Sequence, residues 1–298
     1  MTNQDSLQRF IFEKAPVRGE YIRLQTSFQD IINQHDYPPP IRHLLGESLC
    51  VAGLLSAIIK FKGRLTVQFR GKGKLKLLLA QCDNQFHIRG LAKWEGQLTY
   101  EDLMESFKQG VLLITLDSGP GKRYQGIVAW RGNSLAESIE GYFQDSEQLA
   151  TKIWLAVDDT KAAGFLLQVI PGVQKDVKGV EDEIISPHWA RISQLTASLR
   201  PEDILMSDHQ ALLNKLYPEE EIRIFPSDQV SFNCTCSRKR GEDAILILGR
   251  EEAEAELKNN NSIVVTCDFC NKEYVFDRVD VIRIFEDRGK PSSQTQIH

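Results

Sequence analysis

Four cysteines near the C-terminus are the residues whose types and spacing fit a chemical role best. They form a C-x-C pair and a C-x-x-C pair separated by 30 residues: Cys234, Cys236, Cys267 and Cys270. Two close pairs, each on a turn, can place four sulfurs at the corners of a tetrahedron, the geometry in which four thiolates bind zinc. The first pair has one intervening residue, where about two to four are usual. The spacing predicts one Zn²⁺ per chain, held by these four side chains.

These four sulfurs allow two interpretations. Most four-cysteine zinc sites are closed and inert, so a static zinc knuckle is the simpler one. In the other, metal-bound thiolates are already deprotonated, and an oxidant that reaches them meets the reactive form of the sulfur. The C-terminal unit has 68 residues and little core of its own, and structural zinc contributes about 10–16 kcal/mol that is also folding energy. Oxidative loss of the metal is therefore expected to unfold this unit.

The other candidate groups do not form a catalytic constellation. Cys50 lies in an apolar segment and is interpreted as a small core residue, whereas Cys82 follows a Leu-rich strand and is either buried or exposed. His35-Asp36 is predicted to lie in a polar turn. The sequence has no G-x-S-x-G, H-E-x-x-H or G-x-x-x-x-G-K-[ST] motif. We expect a binding protein and not an enzyme.

The composition is that of a soluble globular protein. The 298 residues, 42% hydrophobic and 26% charged, suffice for one large domain or about two ordinary ones. The N-terminal residues show no secretory signal pattern, and the most apolar stretch, 44–59, carries Glu47 and is predicted to be a buried helix and not a membrane span. We expect a cytoplasmic protein with no membrane partner, in which cysteines serve as thiols, metal ligands or redox groups.

The charge pattern disfavours nucleic acid as a partner. The net charge is −5, and the only basic run beside the predicted ligands is Arg238-Lys239-Arg240, which is short for a surface that neutralises phosphates. A zinc-ribbon nucleic-acid or translation factor is the second hypothesis because of this run. A third is an oxidoreductase using Cys267 and Cys270, but residues 260–280 do not suggest the thioredoxin-like setting that such a pair requires.

The N-terminal part of the chain is predicted to be an α+β domain over residues 1–173. Apolar residues after Pro40 recur at three- and four-residue spacing, which predicts a buried helix that ends near Gly63. Alternating residues from Leu65 to Phe69 and a Gly-Lys-Gly-Lys turn predict a β-hairpin. Further strands are expected at 111–116, 124–130, 153–157 and 165–170. We expect one large sheet covered by helices.

The segment 174–230 is predicted to be a metastable helical linker. It holds 11 acidic residues against 6 basic ones, and its apolar residues predict two short helices on either side of Arg200-Pro201-Glu202. Helices this short are marginal in water, so a neighbouring domain must cover their apolar faces. Once released, these faces are expected to contribute to binding of unfolded client proteins through Ile185, Trp189, Ile192, Leu212 and Leu216.

The last unit, 231–298, contains the small four-cysteine zinc domain. An acidic helix is expected near 242–258, a short strand at 263–265, and a tail without periodicity.

Five separated motifs, in addition to the cysteines, resemble the redox-regulated thirty-three-kilodalton chaperonin family. They occur in the order of the family and span the whole chain. The motifs are Asn33-Gln34-His35-Asp36-Tyr37-Pro38, Arg123-Tyr124-Gln125-Gly126, Tyr142-Phe143-Gln144-Asp145-Ser146-Glu147-Gln148-Leu149, Leu166-Leu167-Gln168-Val169, and Leu216-Tyr217 before Glu219-Glu220. Together they are far more specific than the cysteines alone.

The resemblance implies an ATP-independent holdase that binds unfolded clients and prevents their aggregation under oxidative stress. Such a protein is inactive when reduced and zinc-bound, and active when oxidised and homodimeric. The resemblance also implies that Cys234, Cys236, Cys267 and Cys270 are zinc ligands, and that oxidation pairs Cys234 with Cys236 and Cys267 with Cys270.

The chain departs from the family pattern at three positions. Pro218 stands where His is usual after Leu-Tyr, Ala150 replaces a usual Pro, and Gly164 is single where two glycines are common. All three lie in the linker or at domain edges. They bear on the stability of the linker and not on the cysteine switch.

Overall fold

The computed structural model describes residues 5–119, 121–132, 134–171 and 187–287. The chain divides into two compact units, Met1–Asn233 and Cys234–His298. In chain order, the elements of the first unit are β1 (Ser6–Phe12), β2 (Val17–Leu24), α1 (Thr26–Ile32), α2 (Pro39–Ile58), β3 (Arg64–Gly71), β4 (Leu75–Asp83), β5 (His87–Trp94), α3 (Tyr100–Lys108), β6 (Gly110–Asp117), β7 (Arg123–Val128), α4 (Leu135–Tyr142), a π-helical turn (Phe143–Glu147), β8 (Thr151–Val157), β9 (Ala162–Val169), α5 (Pro187–Thr196), α6 (Pro201–Met206), α7 (His209–Leu216), β10 (Ile222–Ile224), β11 (Asp228–Gln229) and β12 (Ser231–Phe232).

Two six-stranded sheets form the framework of the first unit. The first sheet has the order β10-β1-β2-β9-β8, with β11 also pairing with β1, and the second has the order β12-β5-β4-β3-β6-β7. Neighbouring strands are antiparallel except β12, which runs parallel to β5. The predicted hairpin is β3 and β4, which pair from Arg64 with Asp83 to Arg70 with Leu77. The strands predicted at 111–116, 124–130, 153–157 and 165–170 correspond to β6, β7, β8 and β9.

Helix α2 lies between the two sheets. It begins after Pro38, with proline at its first two positions, where the missing N–H costs nothing. It contacts β2, β8 and β9 of the first sheet and β3, β4 and β5 of the second. A Cβ at Gly53 would lie 2.3 Å from Cδ1 of Ile22, so glycine permits the close approach of α2 to β2. By length and composition α2 could cross a membrane, but 72% of its most apolar window is buried inside the protein.

The α+β class is confirmed, but the sequence predicted one large sheet and the structure has two. The reason is that α2 is apolar on nearly all sides, and a helix of that kind must be covered on all sides. Periodicity along single strands does not show to which sheet each strand belongs. The strands β1 and β2, which the periodicity did not predict, complete the first sheet.

Helices α5, α6 and α7 cover the face of the first sheet that points away from α2. Along β2, Ile22 points into the core around α2, whereas Tyr21 points into a second core. That second core contains Trp189 and Leu212 from the helices. These apolar faces are covered, as expected, and the covering surface is the first sheet. Two helices were predicted here and three are present, because the chain breaks again before Asp208, whose side chain accepts from the Ala211 N–H at 2.9 Å.

Hydrogen bonds also attach this helical segment to the first sheet. The Tyr21 hydroxyl donates to the carbonyls of Ile204 and Ser207, and the Arg23 guanidinium donates to the Ser207 carbonyl at 3.1 Å. Downstream, β10 pairs with β1, and Arg223 donates twice to Glu13 at 2.6 and 2.9 Å. Apolar burial and the hydrogen bonds at the end of α6 thus hold the helices against the sheet. The chain after α7 is part of the sheet itself.

The predicted three-part division stays a prediction. The boundary at 173 lies outside the described residues, and α5 to β12 belong to the same compact unit as the sheets. Compactness does not decide which segments unfold separately, which is the property that the division at 173 and 230 concerns.

The second unit has its own small core. Its elements are α8 (Arg238–Leu248), α9 (Arg250–Asn260), β13 (Ser262–Thr266), β14 (Glu273–Asp277) and α10 (Arg278–Asp287). The predicted acidic helix is two helices, because Gly249 adopts φ +97°, which favours glycine. The tail predicted to lack periodicity includes α10. The apolar side chains buried in this unit are Ile245, Ala253, Leu257, Ile263, Phe276, Val281 and Ile284.

Replacing Leu212 by Ala tests whether the helices depend on the sheet. Leu212 is fully buried in the core that α7 shares with the first sheet. We expect the free energy of local unfolding of α5–α7 to fall by about 2–5 kcal/mol, the usual cost of a Leu→Ala cavity. Native-state hydrogen exchange measures this quantity.

The matched control is Leu195→Ala, because Leu195 is 39% exposed on α5. Its effect should stay within about 0.5 kcal/mol, as is usual for surface positions. Equal effects of the two substitutions would contradict the packing described for α7.

Candidate metal centre

The first cysteine pair lies between the first unit and helix α8. Strand β12 ends at Phe232, and the Asn233 N–H donates to the Ile88 carbonyl at 3.1 Å. Cys234 and Cys236 follow, and the Ser237 hydroxyl then accepts from the Arg240 N–H at 3.3 Å, which caps the start of α8. In sequence, the pair thus follows the last strand of the first unit and precedes the capped start of α8.

The second pair lies in the tight turn that joins β13 to β14. The Cys267 N–H donates to the Lys272 carbonyl at 3.0 Å, and the Asn271 N–H donates to the Cys267 carbonyl at 2.9 Å. Asn271 adopts φ +50°, a left-handed conformation that Asn tolerates better than most residues. The turn brings Cys270 back beside Cys267, so both sulfurs face the same side.

The fold brings the four sulfurs together. All four Sγ atoms lie within 4.8 Å of one another. The Sγ atoms of Cys234 and Cys267 are 3.6 Å apart, and those of Cys236 and Cys270 are 3.5 Å apart. A tetrahedral site with Zn–S bonds of about 2.3 Å has sulfur–sulfur edges of roughly 3.8 Å. All four cysteines are free thiols and half-buried, so the donor set fits a tetrahedral metal ion.

The thiols of the cluster differ in pKa, although they lie close together. Burial raises the pKa of Cys270 to about 12, and the neighbouring thiols add to this effect. Burial also raises the pKa of Cys234. At Cys236 burial acts in the same direction, but hydrogen bonds from Tyr274 and the other thiols outweigh it and lower the pKa to about 7. Several thiolates in this space repel one another, so a cation is required to hold all four deprotonated.

Tyr274 is a residue of this site that the sequence did not single out. It lies on β14, opposite Val265 of β13, and its hydroxyl donates to Sγ of Cys236 at 3.2 Å. The contact depends on the pairing of β13 with β14, which no motif in the sequence encodes. Only the position of the tyrosine four residues after Cys270 could have suggested it.

The other two cysteines are buried in the first unit. Cys50 on α2 and Cys82 on β4 are both fully inaccessible. Burial raises the pKa of the Cys50 thiol, with a further contribution from Glu47, and raises the pKa of Cys82 to about 12. Both are therefore protonated core residues, as was expected for Cys50, and the open question about Cys82 is answered.

The predicted client-binding side chains do not form an exposed surface in this state. Trp189, Ile192, Leu212 and Leu216 are between 0% and 6% exposed and pack against the first sheet. Ile185 lies outside the described residues. A role in binding clients requires that α5 and α7 leave the sheet.

The basic run next to the first pair is largely engaged within its own unit. Arg238 donates to the Val275 carbonyl at 2.9 Å and to Asp280 at 2.6 Å, and its guanidinium lies 4.4 Å from the centre of the Phe276 ring. Arg240 donates to the Thr235 hydroxyl at 2.9 Å. These two cations stabilise the unit, which weakens the case for a nucleic-acid surface.

Comparison with known proteins places the chain among chaperones. The family model described as "Hsp33 protein" matches residues 5–277. A 33 kDa chaperonin of Shewanella sp. (strain ANA-3) is 41% identical over 292 residues, which cover 98% of this chain and 99% of the relative. A 33 kDa chaperonin of Nitrosococcus oceani is 40% identical over 290 residues, 97% of each chain.

A solved structure shares the fold. The crystal structure of the 33 kDa chaperonin (heat shock protein 33 homolog) of Thermotoga maritima matches with a TM-score of 0.79, covering 95% of this chain and 99% of that one. Its sequence identity is 23%, so the likeness concerns architecture. The motif-based resemblance of the sequence is thus confirmed by sequence relatives over nearly the full length.

Replacing Cys267 by Ser should weaken zinc binding by more than about 100-fold, because loss of even an outer-shell partner costs about 10- to 100-fold. The affinity is measured under reducing conditions by competition with a chromophoric chelator. Cys82→Ala, which removes a buried thiol elsewhere, is the control and should bind one zinc per chain as tightly as the wild type. Full-strength binding by the Cys267→Ser variant would contradict the ligand set.

Proposed function

This chain belongs to the Hsp33 family of chaperones, and from that premise we propose that it is a redox-regulated, ATP-independent holdase. In the reduced, zinc-bound form it is inactive. Oxidation releases the metal, unfolds the C-terminal unit and the linker, and exposes apolar surface that binds unfolded proteins. The observation that carries the proposal is the cluster of four reduced sulfurs within 4.8 Å, next in sequence to strands that belong to the first sheet.

Zinc is the proposed occupant, one ion per chain, with Cys234, Cys236, Cys267 and Cys270 as ligands. Four thiolates in tetrahedral arrangement select zinc among the common divalent ions. When bound, the ion supplies a cross-link and the charge that keeps the thiolates together. The small apolar core of this unit is then supplemented by about 10–16 kcal/mol of metal-binding energy.

The proposed oxidation pairs Cys234 with Cys236 and Cys267 with Cys270. A peroxide accepts two electrons for each disulfide. One thiolate attacks the peroxide, so that an S–O bond forms, the O–O bond breaks and hydroxide leaves. The second thiolate then attacks that sulfur, the S–S bond forms and a second hydroxide leaves. Either pairing is within reach because all four Sγ atoms lie within 4.8 Å.

Pairing within each motif has a mechanical consequence. Two close sulfur–sulfur contacts join one motif to the other, Cys234 to Cys267 at 3.6 Å and Cys236 to Cys270 at 3.5 Å. Disulfides within each motif leave no covalent or metal link between the two. The connection before α8 and the turn between β13 and β14 then separate, and the unit loses the cross-link that its small core requires.

The linker is proposed to unfold together with the C-terminal unit because its helices are short. Helices α5, α6 and α7 have 10, 6 and 8 residues, too few to persist alone in water. Unfolding after Cys234 frees the end of β12, the edge strand that pairs with β5. Release of the helices uncovers Phe10, Tyr21 and Phe165 of the first sheet, while their own apolar residues become available to clients.

The active form is proposed to be a homodimer that binds unfolded or partly folded proteins, with no turnover, no nucleic acid and no membrane as partner. A cytoplasmic location suits four cysteines that must be thiols at rest. The relatives are named chaperonins, which supports a binding role.

The direct test compares zinc content and chaperone activity before and after peroxide. The wild-type protein should hold one zinc per chain, fail to suppress aggregation of a model client when reduced, and gain suppression in parallel with zinc release. The Cys82→Ala variant should behave in the same way. Zinc release without any gain of activity, or full activity of the reduced protein, would contradict the proposed switch.

Replacing Ile192 by Asp tests the coupling through the linker. Ile192 is fully buried on α5, and an unpaired buried charge costs several kcal/mol. We expect partial suppression of aggregation by the reduced, zinc-bound variant. Leu195→Asp on the same helix is the control, because Leu195 is partly exposed, and it should stay inactive until oxidised. An Ile192→Asp variant with a protected linker and no activity before oxidation would remove α5 from the mechanism.

A further inference from the structure

A side-chain hydroxyl from outside the two cysteine motifs donates to one sulfur of the cluster. The Tyr274 hydroxyl lies 3.2 Å from Sγ of Cys236 and donates a hydrogen bond to it. The bond connects β14 to the cysteine pair before α8, a contact across 38 positions of the chain. It therefore links the second half of the unit to the first through a group that is not a metal ligand.

The position of this hydroxyl is fixed by its surroundings. The Tyr274 ring packs against the small core of the unit, opposite Val265 on the paired strand. Phe276, two residues further along β14, is fully buried in that core. The Lys272 ammonium lies 5.4 Å from the centre of the Tyr274 ring. Strand pairing and apolar contacts fix the rotamer of the ring, so the hydroxyl is already oriented toward Cys236.

A hydrogen bond to a thiolate has two effects that act in the same direction. It stabilises the anion as a ligand, since outer-shell donors orient ligands and tune the metal. It also withdraws electron density from the sulfur, and the nucleophilicity of a thiolate falls as its basicity falls. Among sulfurs that are all deprotonated, as in a metal-loaded cluster, one that accepts an O–H donor is thus a slower nucleophile toward a peroxide.

We propose that Tyr274 is a positioning residue that protects Cys236 from oxidation and so sets the oxidant exposure at which the switch opens. This inference rests on the proposed function, because it concerns the control of that same site. In the first oxidation step a thiolate lone pair attacks the peroxide, the S–O bond forms and hydroxide leaves. The Tyr274 hydroxyl engages Cys236 in that step, so attack begins at the other sulfurs or waits until this bond breaks.

The test is Tyr274→Phe, which keeps the ring and removes the hydroxyl. The rate of zinc release by hydrogen peroxide should rise about 3- to 10-fold, and the zinc affinity without oxidant should fall about 10-fold, the lower end of outer-shell effects. The protein loaded with Co²⁺ gives a further readout. Its sulfur-to-metal charge-transfer band should move to longer wavelength, because the unbonded sulfur is the better electron donor. A loss of packing alone would not shift this band.

Two further proteins complete the design. Tyr124→Phe removes a hydroxyl from the first unit, where Tyr124 contacts the Tyr142 hydroxyl at 2.9 Å, and it should leave all three readouts unchanged. Replacement of Tyr274 by 3-fluorotyrosine strengthens the donor at nearly constant size. It should slow zinc release and move the band to shorter wavelength, which keeps the proposal testable even where Tyr274→Phe folds poorly.

The outcomes separate this inference from the proposed function. Wild-type rates and an unshifted band in Tyr274→Phe, or unchanged release with 3-fluorotyrosine, would overturn the role of Tyr274 and leave the redox switch intact. A wild-type protein that binds no zinc would overturn both. Faster release in Tyr274→Phe, slower release with fluorotyrosine and no change in Tyr124→Phe is the result that we expect.

Discussion

Mutual repulsion among four sulfurs is the constraint on which the C-terminal unit depends. The Sγ atoms lie within 4.8 Å of one another, and burial raises the pKa of Cys234 and Cys270 above the usual value. In the proposed switch, the cluster needs a cation as four thiolates, and as two disulfides it no longer joins the two halves of the unit. We propose that the site in this way converts a redox change into a change of folding, because metal binding and folding share one free energy.

The first unit has the opposite character. Helix α2 is enclosed by two sheets, so we expect this core to stay folded without the metal. The linker helices are intermediate: each is too short to be stable alone, yet together they bury Trp189, Ile192, Leu212 and Leu216 against the first sheet. In the proposed function the chain therefore joins a stable framework, a conditionally docked segment and a metal-dependent unit. That gradation is what a switch needs if it is to release binding surface without destroying the framework that carries it.

The sequence predicted the chemistry better than the architecture. The spacing of Cys234, Cys236, Cys267 and Cys270 was sufficient to predict a four-sulfur site, because close pairs on turns converge on a metal in few ways. Alternation from Leu65 to Phe69 was sufficient for a hairpin, since its pairing is local. The existence of two sheets was not predictable, because it depends on which distant strands flank α2. The contact of Tyr274 with Cys236 was not predictable either, because it arises only when β13 pairs with β14.

The central claim is that the metal holds the C-terminal unit and, through it, the linker, while the framework stands alone. Hydrogen exchange of the reduced, zinc-loaded protein, measured before and after removal of the metal by a chelator, tests this claim most directly. The account predicts loss of protection in α8–α10 and β13–β14, partial loss in α5–α7, and unchanged protection in α2, β3 and β4. Equal loss of protection in α2 and the sheets, or full protection of α8–α10 without metal, would contradict it.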